Sequence, residues 1–378
     1  MAKAGNVRVV CMMLSLGVLV MSSHEFPITT YSHAQCDPAI CRDIIVWGDL
    51  RNGNWDVYGY NLSAQEEFQI ATGPSWQWDP AIYEDIVVWE DDRNGNNDIY
   101  GYNLSTNQEF QITTHLEDQL QPAIYGDIIV WTDKRNGNSD IYGFDLSTHQ
   151  EFQITTSTEG QYEPAIYENI IVWTDRRDGP LHIYGYDLST QEEFQITTGV
   201  INHHHPAIYK NIIVYAGIRF EYTNLYYYNL STGQEFQMIP DSAGISPFFE
   251  GFPAVYESII VWTDDRGQDL GDIYGYNIAT DEECIIAAPD TQTGPALYGD
   301  IIVWTDHRNG NDDIYGCSLS DLDWCPSQTP HEEHPAFEPE SSQWIYGILL
   351  VAAAVIIVVA SWKRRKEELP LKGTEKNP

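Results

Sequence analysis

Basic residues are scarce in this chain. Its 378 residues include 19 Lys and Arg against 56 Asp and Glu, so the formal net charge is −37. Eight of the 19 lie near the two ends, and seven of the other eleven occupy one repeated position: Arg51, Arg93, Arg135, Arg177, Arg219, Arg266 and Arg308. With so few other cations the chain cannot neutralise a phosphate backbone, which excludes nucleic acid as a partner.

Short sequence signatures of enzymes are also absent. The chain has no Gly-x-Ser-x-Gly elbow and no His-Glu-x-x-His motif. Its carboxylates are distributed by an internal repeat rather than concentrated at one place. We therefore expect a protein that is not an enzyme and has no cofactor, with calcium as the one ion to consider.

A repeat of about 42 residues fills most of the chain. Each copy opens on Pro-Ala and an apolar residue, and successive copies are spaced by 42, 42, 42, 42, 47 and 42 residues. The opening prolines are Pro38, Pro80, Pro122, Pro164, Pro206, Pro253 and Pro295. Four runs rich in β-branched and aromatic residues alternate with turn residues in each of the first six copies. This pattern predicts an all-β, seven-bladed β-propeller.

The seventh repeat stops after its third strand, which ends near Cys317. The missing strand is found at the other end of the chain, where residues 25–30 copy the fourth-strand motif. Phe26 precedes Pro38 by 12 residues, as Phe68 precedes Pro80. We expect this N-terminal strand to close the last blade, because closure hides an edge that would otherwise promote aggregation.

The repeat unit is similar to those of a known family. Residues 131–142, Trp-Thr-Asp-Lys-Arg-Asn-Gly-Asn-Ser-Asp-Ile-Tyr, resemble TolB-type propeller repeats, especially those of methanogen (archaeal) cell-surface proteins. The resemblance covers roughly residues 25–319. It implies a propeller that docks a protein or a ligand, without implying one particular activity.

Both ends of the chain carry targeting signals. Residues 1–23 are predicted to be a signal peptide, and 344–362 form an uncharged run of about 28 Å as a helix, long enough to span a bilayer. The basic cluster that opens 363–378 predicts a cytoplasmic tail. The propeller is assigned to 24–325 and a flexible stalk to 326–343. The chain is thus predicted to be a single-pass protein of the cell membrane, with the propeller outside. The alternative is a helix that serves as a transient sorting signal.

The motif Asp-x-Arg-Asn-Gly-Asn-x-Asp between the second and third strands has two interpretations. It can be a calcium loop with alternating oxygen ligands, or a tight hairpin whose arginine pairs with the aspartates. Blade 5 carries Gly217 and Asn224 in place of both aspartates and keeps Arg219. This favours the hairpin, and no metal site is predicted.

Covalent modification is expected at two kinds of residue. Asn61, Asn103 and Asn229 stand in glycosylation sequons, although turn chemistry alone would also explain an Asn there. Cys325 is expected to form a disulfide with Cys317 or with Cys41 near the ring closure.

One sector of the loop face departs from the repeat. Blade 5 has an altered hairpin, three consecutive histidines and a following loop that is five residues longer and rich in aromatics. Exposed aromatics there predict a ligand site, unless the long loop folds them into a plug. The sector comprises His203, His204, His205, Arg219, Phe220, Glu221, Tyr222, Phe248, Phe249 and Phe252. A second candidate is the pair Trp76 and Trp78, which could stack on a sugar.

Polar residues stand three positions before the opening prolines. They are Gln35, Gln77, Gln119, Gln161, Glu250 and Gln292, with His203 in blade 5. They are expected to ring the mouth of the central channel. Either each ties down its own inter-blade loop, or together they bind a small ligand or ion.

These observations predict a non-enzymatic binding or adhesion module for a protein or glycan at the outer loop face, anchored to the membrane by the C-terminal helix. A structural part in the cell envelope, associated with a surface layer, is the alternative. A propeller hydrolase or lyase, with carboxylates drawn from different blades, is the third possibility.

Overall fold

The computed structural model describes residues 25–219, 222–238, 252–264, 271–287 and 290–322. These residues form seven antiparallel four-stranded sheets, and the predicted seven-bladed propeller is confirmed. No helix within these ranges is long and apolar enough to cross a membrane. The predicted signal peptide, stalk, membrane helix and tail lie outside the described residues.

Each blade uses four strands in chain order, from the channel outwards, except the last. Blades 1 to 3 consist of β2 (Gln35–Cys41), β3 (Ile44–Asp49), β4 (Asp56–Asn61), β5 (Glu66–Ala71); β6 (Gln77–Tyr83), β7 (Ile86–Asp91), β8 (Asp98–Asn103), β9 (Gln108–Gln111); and β10 (Gln119–Tyr125), β11 (Ile128–Asp133), β12 (Asp140–Asp145), β13 (Gln150–Gln153). Blades 4 to 6 consist of β14 (Gln161–Tyr167), β15 (Ile170–Asp175), β16 (His182–Asp187), β17 (Glu192–Gln195); β18 (Asn202–Tyr209), β19 (Ile212–Arg219), β20 (Tyr222–Asn229), β21 (Gln234–Gln237); and β22 (Ala254–Tyr256), β23 (Ile259–Asp264), β24 (Asp272–Asn277), β25 (Glu282–Ala287).

The seventh blade is closed by the N-terminal strand, as predicted. It contains β26 (Gln292–Tyr298), β27 (Ile301–Asp306), β28 (Asp313–Ser318) and β1 (Glu25–Pro27), followed by a short 3₁₀ helix at Leu319–Asp321. Strand β1 pairs antiparallel with β28, with Phe26 opposite Gly316. Ile28 then packs with Ile314 of blade 7 and Trp47 of blade 1, so the closing segment also seals the interface between these two blades.

The core lies between neighbouring blades. Ile99 of blade 2, for example, packs with Ile129 and Trp131 of blade 3, and all three are fully buried. No blade can bury this surface alone, because a single twisted sheet has two faces and needs a neighbour for each. The second-strand tryptophans are the largest of these buried side chains: Trp47, Trp89, Trp131, Trp173, Trp262 and Trp304.

The repeat arginine belongs to a cluster that we call the arginine clasp. In blade 3, Arg135 contacts Asp133 (2.6 Å) and Glu151, its guanidinium lies 4.2 Å from the ring centre of Tyr142, and Trp131 Nε1 donates to the same aspartate at 2.8 Å. The same pairs occur at Arg51, Arg93, Arg177 and Arg308. The motif therefore has the hairpin arrangement, with its first aspartate occupied by N–H donors. The glutamate partner, which comes from the fourth strand, was not foreseen.

In blade 5, where Gly217 stands in place of the clasp aspartate, the counterpart of the clasp glutamate receives a further contact. Tyr215 stands where the other blades have Trp, and its hydroxyl donates at 2.5 Å to Glu235, the counterpart of the clasp glutamate. Tyr227 stands where most blades have Gly and stacks on Phe236 at 4.8 Å. In blade 3 a Cβ at the equivalent glycine would come within 2.6 Å of the phenylalanine ring. Because Tyr227 fills that space, Phe236 is displaced outwards and is 41 % exposed.

Candidate functional site

The loop-face end of the central channel holds a cavity of about 470 Å³. The first strands of successive blades lie side by side around the axis, so side chains from several blades converge there. Its lining includes Asp37, Trp78, Asp79, Glu90, Leu120, Gln121, Tyr162 and Phe252. The cavity therefore combines three aromatic rings with three carboxylates. We call it the channel-mouth cavity.

A bulge in the first strand of every blade except the sixth selects the side chains that line this cavity. The residue before the opening proline has a positive φ, 54° at Asp37, 53° at Asp79 and 56° at Gln121. The pairing register between first and second strands shifts at the same place, between Trp78 and Ala81 in blade 2. A bulge re-aims the side chains next to it. Residues one and two places before the proline consequently line the channel.

Hydrogen bonds join these residues from blade to blade. The backbone N–H of Gln121 donates to Glu90 at 2.7 Å, and that of Glu163 donates to Gln121 Oε1 at 3.2 Å. The N–H of His205 donates in turn to Glu163 at 2.9 Å. Each of these side chains accepts a hydrogen bond from the following blade, so the wall of the cavity is held by polar contacts as well as by packing.

Two carboxylates of the cavity, Glu90 and Asp79, have raised pKa values. Burial, followed by the nearby charge of Asp79, raises the pKa of Glu90 to about 8. Burial, followed by the charge of Asp37, raises that of Asp79 to about 7. Near neutral pH these two groups therefore hold protons that ordinary carboxyl groups release, so the cavity carries less negative charge than its composition suggests.

These raised pKa values predict that stability falls with rising pH. Between the ordinary carboxyl pKa and the raised values the folded chain binds more protons than the unfolded chain, so folding stability is lost as pH rises through about 7 to 8. We expect the melting temperature to drop between about pH 6 and about pH 9, and to drop less when Asp79→Asn and Glu90→Gln are combined. Thermal unfolding followed by circular dichroism measures both.

A charge-matched variant on the opposite face serves as control. Asp127→Asn with Glu168→Gln removes the same two charges from exposed turns. It should keep most of the pH-dependent drop. Equal flattening by both pairs would assign the effect to the overall charge of the chain instead of to the cavity.

The three histidines of blade 5 do not share one direction. His203 is 3 % exposed and packs between Tyr215 and Tyr226, with ring centres 5.4 and 5.9 Å away. His205 lies at the channel, with its ring centre 4.2 Å from that of Phe252. The ring of His204 is edge-on to the ring of His205, with centres 4.5 Å apart. Burial lowers the pKa of each to about 4, so all three are neutral near pH 7.

The two regions predicted as separate candidate sites meet at one cavity. Trp78 lines it from blade 2, and Phe252 lines it from the start of blade 6. Trp76 stands at the rim, 52 % exposed and edge-on to Trp78 at 5.9 Å. Strand pairing in blade 5 reaches Arg219 and Tyr222. Phe220, Glu221, Phe248, Phe249 and Glu250 lie outside the described residues.

The glutamines expected at the channel mouth are buried. Gln35, Gln77, Gln119 and Gln161 are at most 1 % exposed, and each side-chain amide donates to the carbonyl oxygen two residues earlier. Gln292 is equally buried. Each of those four amides therefore ties down its own inter-blade loop, while the mouth is lined by the residues that follow.

The opposite end of the channel carries a ring of tyrosines. Successive ring centres are 4.5 to 5.0 Å apart. The members are Tyr83, Tyr125, Tyr167, Tyr209, Tyr256 and Tyr298, with Cys41 at the equivalent position of blade 1. The cavity with mixed aromatic and charged walls is thus at the loop face.

The predicted modification sites lie away from this cavity. Asn61, Asn103 and Asn229 are in the turns between third and fourth strands, where each side-chain oxygen accepts a backbone N–H of its own turn. Cys41 and Cys317 are buried, and their proposed partner Cys325 lies outside the described residues. Both modifications remain predictions.

Several residues of the cavity were missed from the sequence. Glu90 could have been found, because other blades have Gly, Ala or Thr at its position. Asp37 and Asp79 could not, since an alternating pattern does not reveal which side a bulged residue faces. In the described part of the chain, no group of three or more His, Cys, Asp or Glu is placed to hold a metal ion.

Comparison with known proteins gives the fold alone. No family model and no curated protein matches the chain. Among solved structures it is similar to oligogalacturonate lyase in complex with manganese, at 14 % identity and a TM-score of 0.61 over 80 % of this chain and 96 % of that one. A puromycin-hydrolyzing peptidase of Mycobacterium tuberculosis is 9 % identical, with a TM-score of 0.60 over 78 % of this chain and 53 % of that one. TolB of Acinetobacter baumannii is 18 % identical, with a TM-score of 0.48 over 64 % of this chain and 62 % of that one.

Proposed function

We propose that the chain is a non-enzymatic binding module of the cell surface that takes a glycan or a protein at the channel-mouth cavity. The observation that carries this proposal is the convergence of Trp78, Tyr162 and Phe252 on one open cavity of about 470 Å³. Rigid aromatic rings around a concave site provide large contact areas with little loss of side-chain entropy on binding. Trp76 and Trp78 lie edge-on to each other at 5.9 Å, and an indole ring at the rim beside one in the cavity favours a glycan.

Exposed apolar residues support the loop face as the contact surface. Six large apolar side chains in the described ranges are exposed, and five of them stand in inter-blade loops: Tyr31, Trp76, Leu116, Val200 and Phe252. Their exposed fractions run from 48 to 91 %. Exposed apolar groups gathered on one face are typical of a surface that meets a partner.

The setting in the cell rests on the ends of the chain. A signal peptide at 1–23 and an anchoring helix at 344–362 would hold the propeller outside the membrane. Strand β28 ends at Ser318, on the face opposite the inter-blade loops and the channel-mouth cavity. The repeat resemblance favours an archaeal envelope as this setting.

A binding screen tests the proposal. The full-length chain would be applied to a glycan array and to a panel of envelope proteins, beside the variant Trp76→Ala with Trp78→Ala. Because the two rings would act as an aromatic hot spot, their loss should lower the affinity for the ligand by about 30-fold or more. Phe236→Ala is the matched control, because that ring is also exposed but lies on an outer strand. If the tryptophan variant bound the ligand as tightly as the unchanged chain, the binding site would lie elsewhere.

An enzymatic role is the second candidate, and one observation favours it. Glu90 and Asp79, whose pKa values are raised to about 8 and about 7, share the cavity with the aromatic rings. A carboxyl group that stays protonated near neutral pH can act as a general acid. The propellers similar to this one include a lyase and a peptidase. Turnover that is abolished by Glu90→Gln, while the ligand still binds, would establish this alternative.

A further inference from the structure

A groove runs outwards from the channel mouth between blades 3 and 4. It holds a cavity of about 460 Å³ lined by Lys134, Asn138, Gly160, Tyr162 and Arg176, with Glu117 and Glu159. Lys134, Ser139 and Tyr162 also line the channel-mouth cavity, so the two are continuous. A ligand seated at the mouth can therefore extend into this groove.

The groove brings together two of the few basic side chains of the propeller, balanced by Glu117 and Glu159. Lys134 and Arg176 stand at the same place in adjacent repeats, directly before the clasp arginine, where blades 1, 2 and 7 have Leu50, Asp92 and His307. In the part of the chain that the structure describes, Arg176 forms no ion pair, unlike the clasp arginines. Lys134 contacts Asp118 at 3.2 Å, but both side chains are about 40 % exposed. An ion pair that exposed contributes little, so an anionic ligand can replace it.

The aromatic wall of the groove depends on a glycine. A Cβ at position 160 would lie 1.9 Å from the hydroxyl oxygen of Tyr162. The other blades have Ala34, Trp76, Asp118, Asn202, Phe249 and Thr291 at this position. Gly160 thus allows the tyrosine ring to lie across the inter-blade loop, beside the two cations.

We propose that this groove binds the acidic sugar units of an anionic oligosaccharide, whose other units occupy the channel mouth. This inference rests on the proposed function and names the ligand class of the same site. The ring of Tyr162 offers a face for a sugar ring, and Arg176 and Lys134 offer charge-assisted hydrogen bonds to its carboxylate. Glu117 and Glu159 are acceptors for sugar hydroxyl groups.

Two tetrasaccharides that differ only at carbon 6 test this inference. Binding of β-1,4-linked tetraglucuronic acid and of cellotetraose to the full-length chain would be measured by calorimetry. The acidic sugar should bind more tightly, and its affinity should fall with salt. Lys134→Gln with Arg176→Gln should weaken it by about 10-fold or more while cellotetraose is unaffected. Asp118→Asn should strengthen it, because Lys134 is released.

The control removes equal charge from the other face. Arg42→Gln with Lys210→Gln changes the net charge as much, at turns between first and second strands. A similar loss of affinity in this control would overturn the inference in favour of bulk electrostatics. Equal binding of both sugars, lost with Trp78→Ala, would overturn the acidic specificity and leave the proposed function standing. If neither sugar bound, the inference of an acidic-oligosaccharide site would also be overturned. The glycan array and the protein panel would then test the proposed function separately.

Discussion

Replacing Glu25 with alanine is expected to lower the free energy of unfolding by about 2–4 kcal/mol. Glu25 lies in the N-terminal strand and contacts Arg308, in the hairpin between β27 and β28, at 2.7 Å, with side chains only 2 % and 7 % exposed. Removing the carboxylate leaves a buried guanidinium with one partner, Asp306, where it had two. The loss also loosens the single strand pairing that closes the ring. Urea unfolding followed by tryptophan fluorescence measures the change.

Glu109→Ala is the matched control for this prediction. Glu109 holds the same place in the clasp of blade 2, but it and Arg93 are 35 % and 33 % exposed. An exposed pair contributes about 1 kcal/mol or less. If both variants unfolded at the same urea concentration, the closing strand would not depend on burial of its ion pair.

Replacing Asp133 with alanine is expected to be the more damaging change, at about 3–5 kcal/mol. This fully buried carboxylate accepts hydrogen bonds from Trp131 Nε1 at 2.8 Å, from the backbone N–H of Arg135 at 2.9 Å and from its guanidinium at 2.6 and 2.9 Å. Alanine would leave the indole and the guanidinium without their central acceptor, inside the blade interface. The same urea titration gives the difference.

A conservative change in an exposed turn sets the scale for that result. Asp145 of blade 3 occupies the position where blades 1 and 2 have Asn61 and Asn103. Asp145→Asn should change stability by about 0.5 kcal/mol or less. An Asp133→Ala variant no less stable than this one would show that the clasp positions the hairpin without stabilising it.

The architecture was predictable because its signals are local and repeated. The alternation of β-branched and aromatic residues and the constant spacing recur seven times or nearly so, an Asn-Gly or Asp-Gly turn recurs in five blades, and all point to the same strands. The copy of the fourth-strand motif at Phe26 even identified the closing strand. Blade 5 was predicted to be irregular from its altered hairpin and its longer loop, although the contact between Tyr215 and Glu235 was not predicted.

The candidate site was predictable only in part. Trp76, Trp78, His205 and Phe252 were all named from the sequence, yet as members of two distant regions. Arg176 was not predicted as a site residue, because from the sequence it is a single basic residue outside the clasp. Its role in the proposed groove depends on Lys134 and on Gly160, which lie 42 and 16 residues away along the chain.

What the sequence determined by itself is therefore the ring: seven blades, their strand order and the strand that closes them. A period repeated along the chain is sufficient for this, because each blade packs only against its two neighbours. Only the tertiary structure decided the site. Its walls come from the first strands of blades 1 to 4 and the start of blade 6, which meet around the axis although they are far apart in the chain. One bulged residue in the first strand of each blade, the sixth excepted, sets which side chains face the cavity, and that choice of side is not encoded in the repeat pattern.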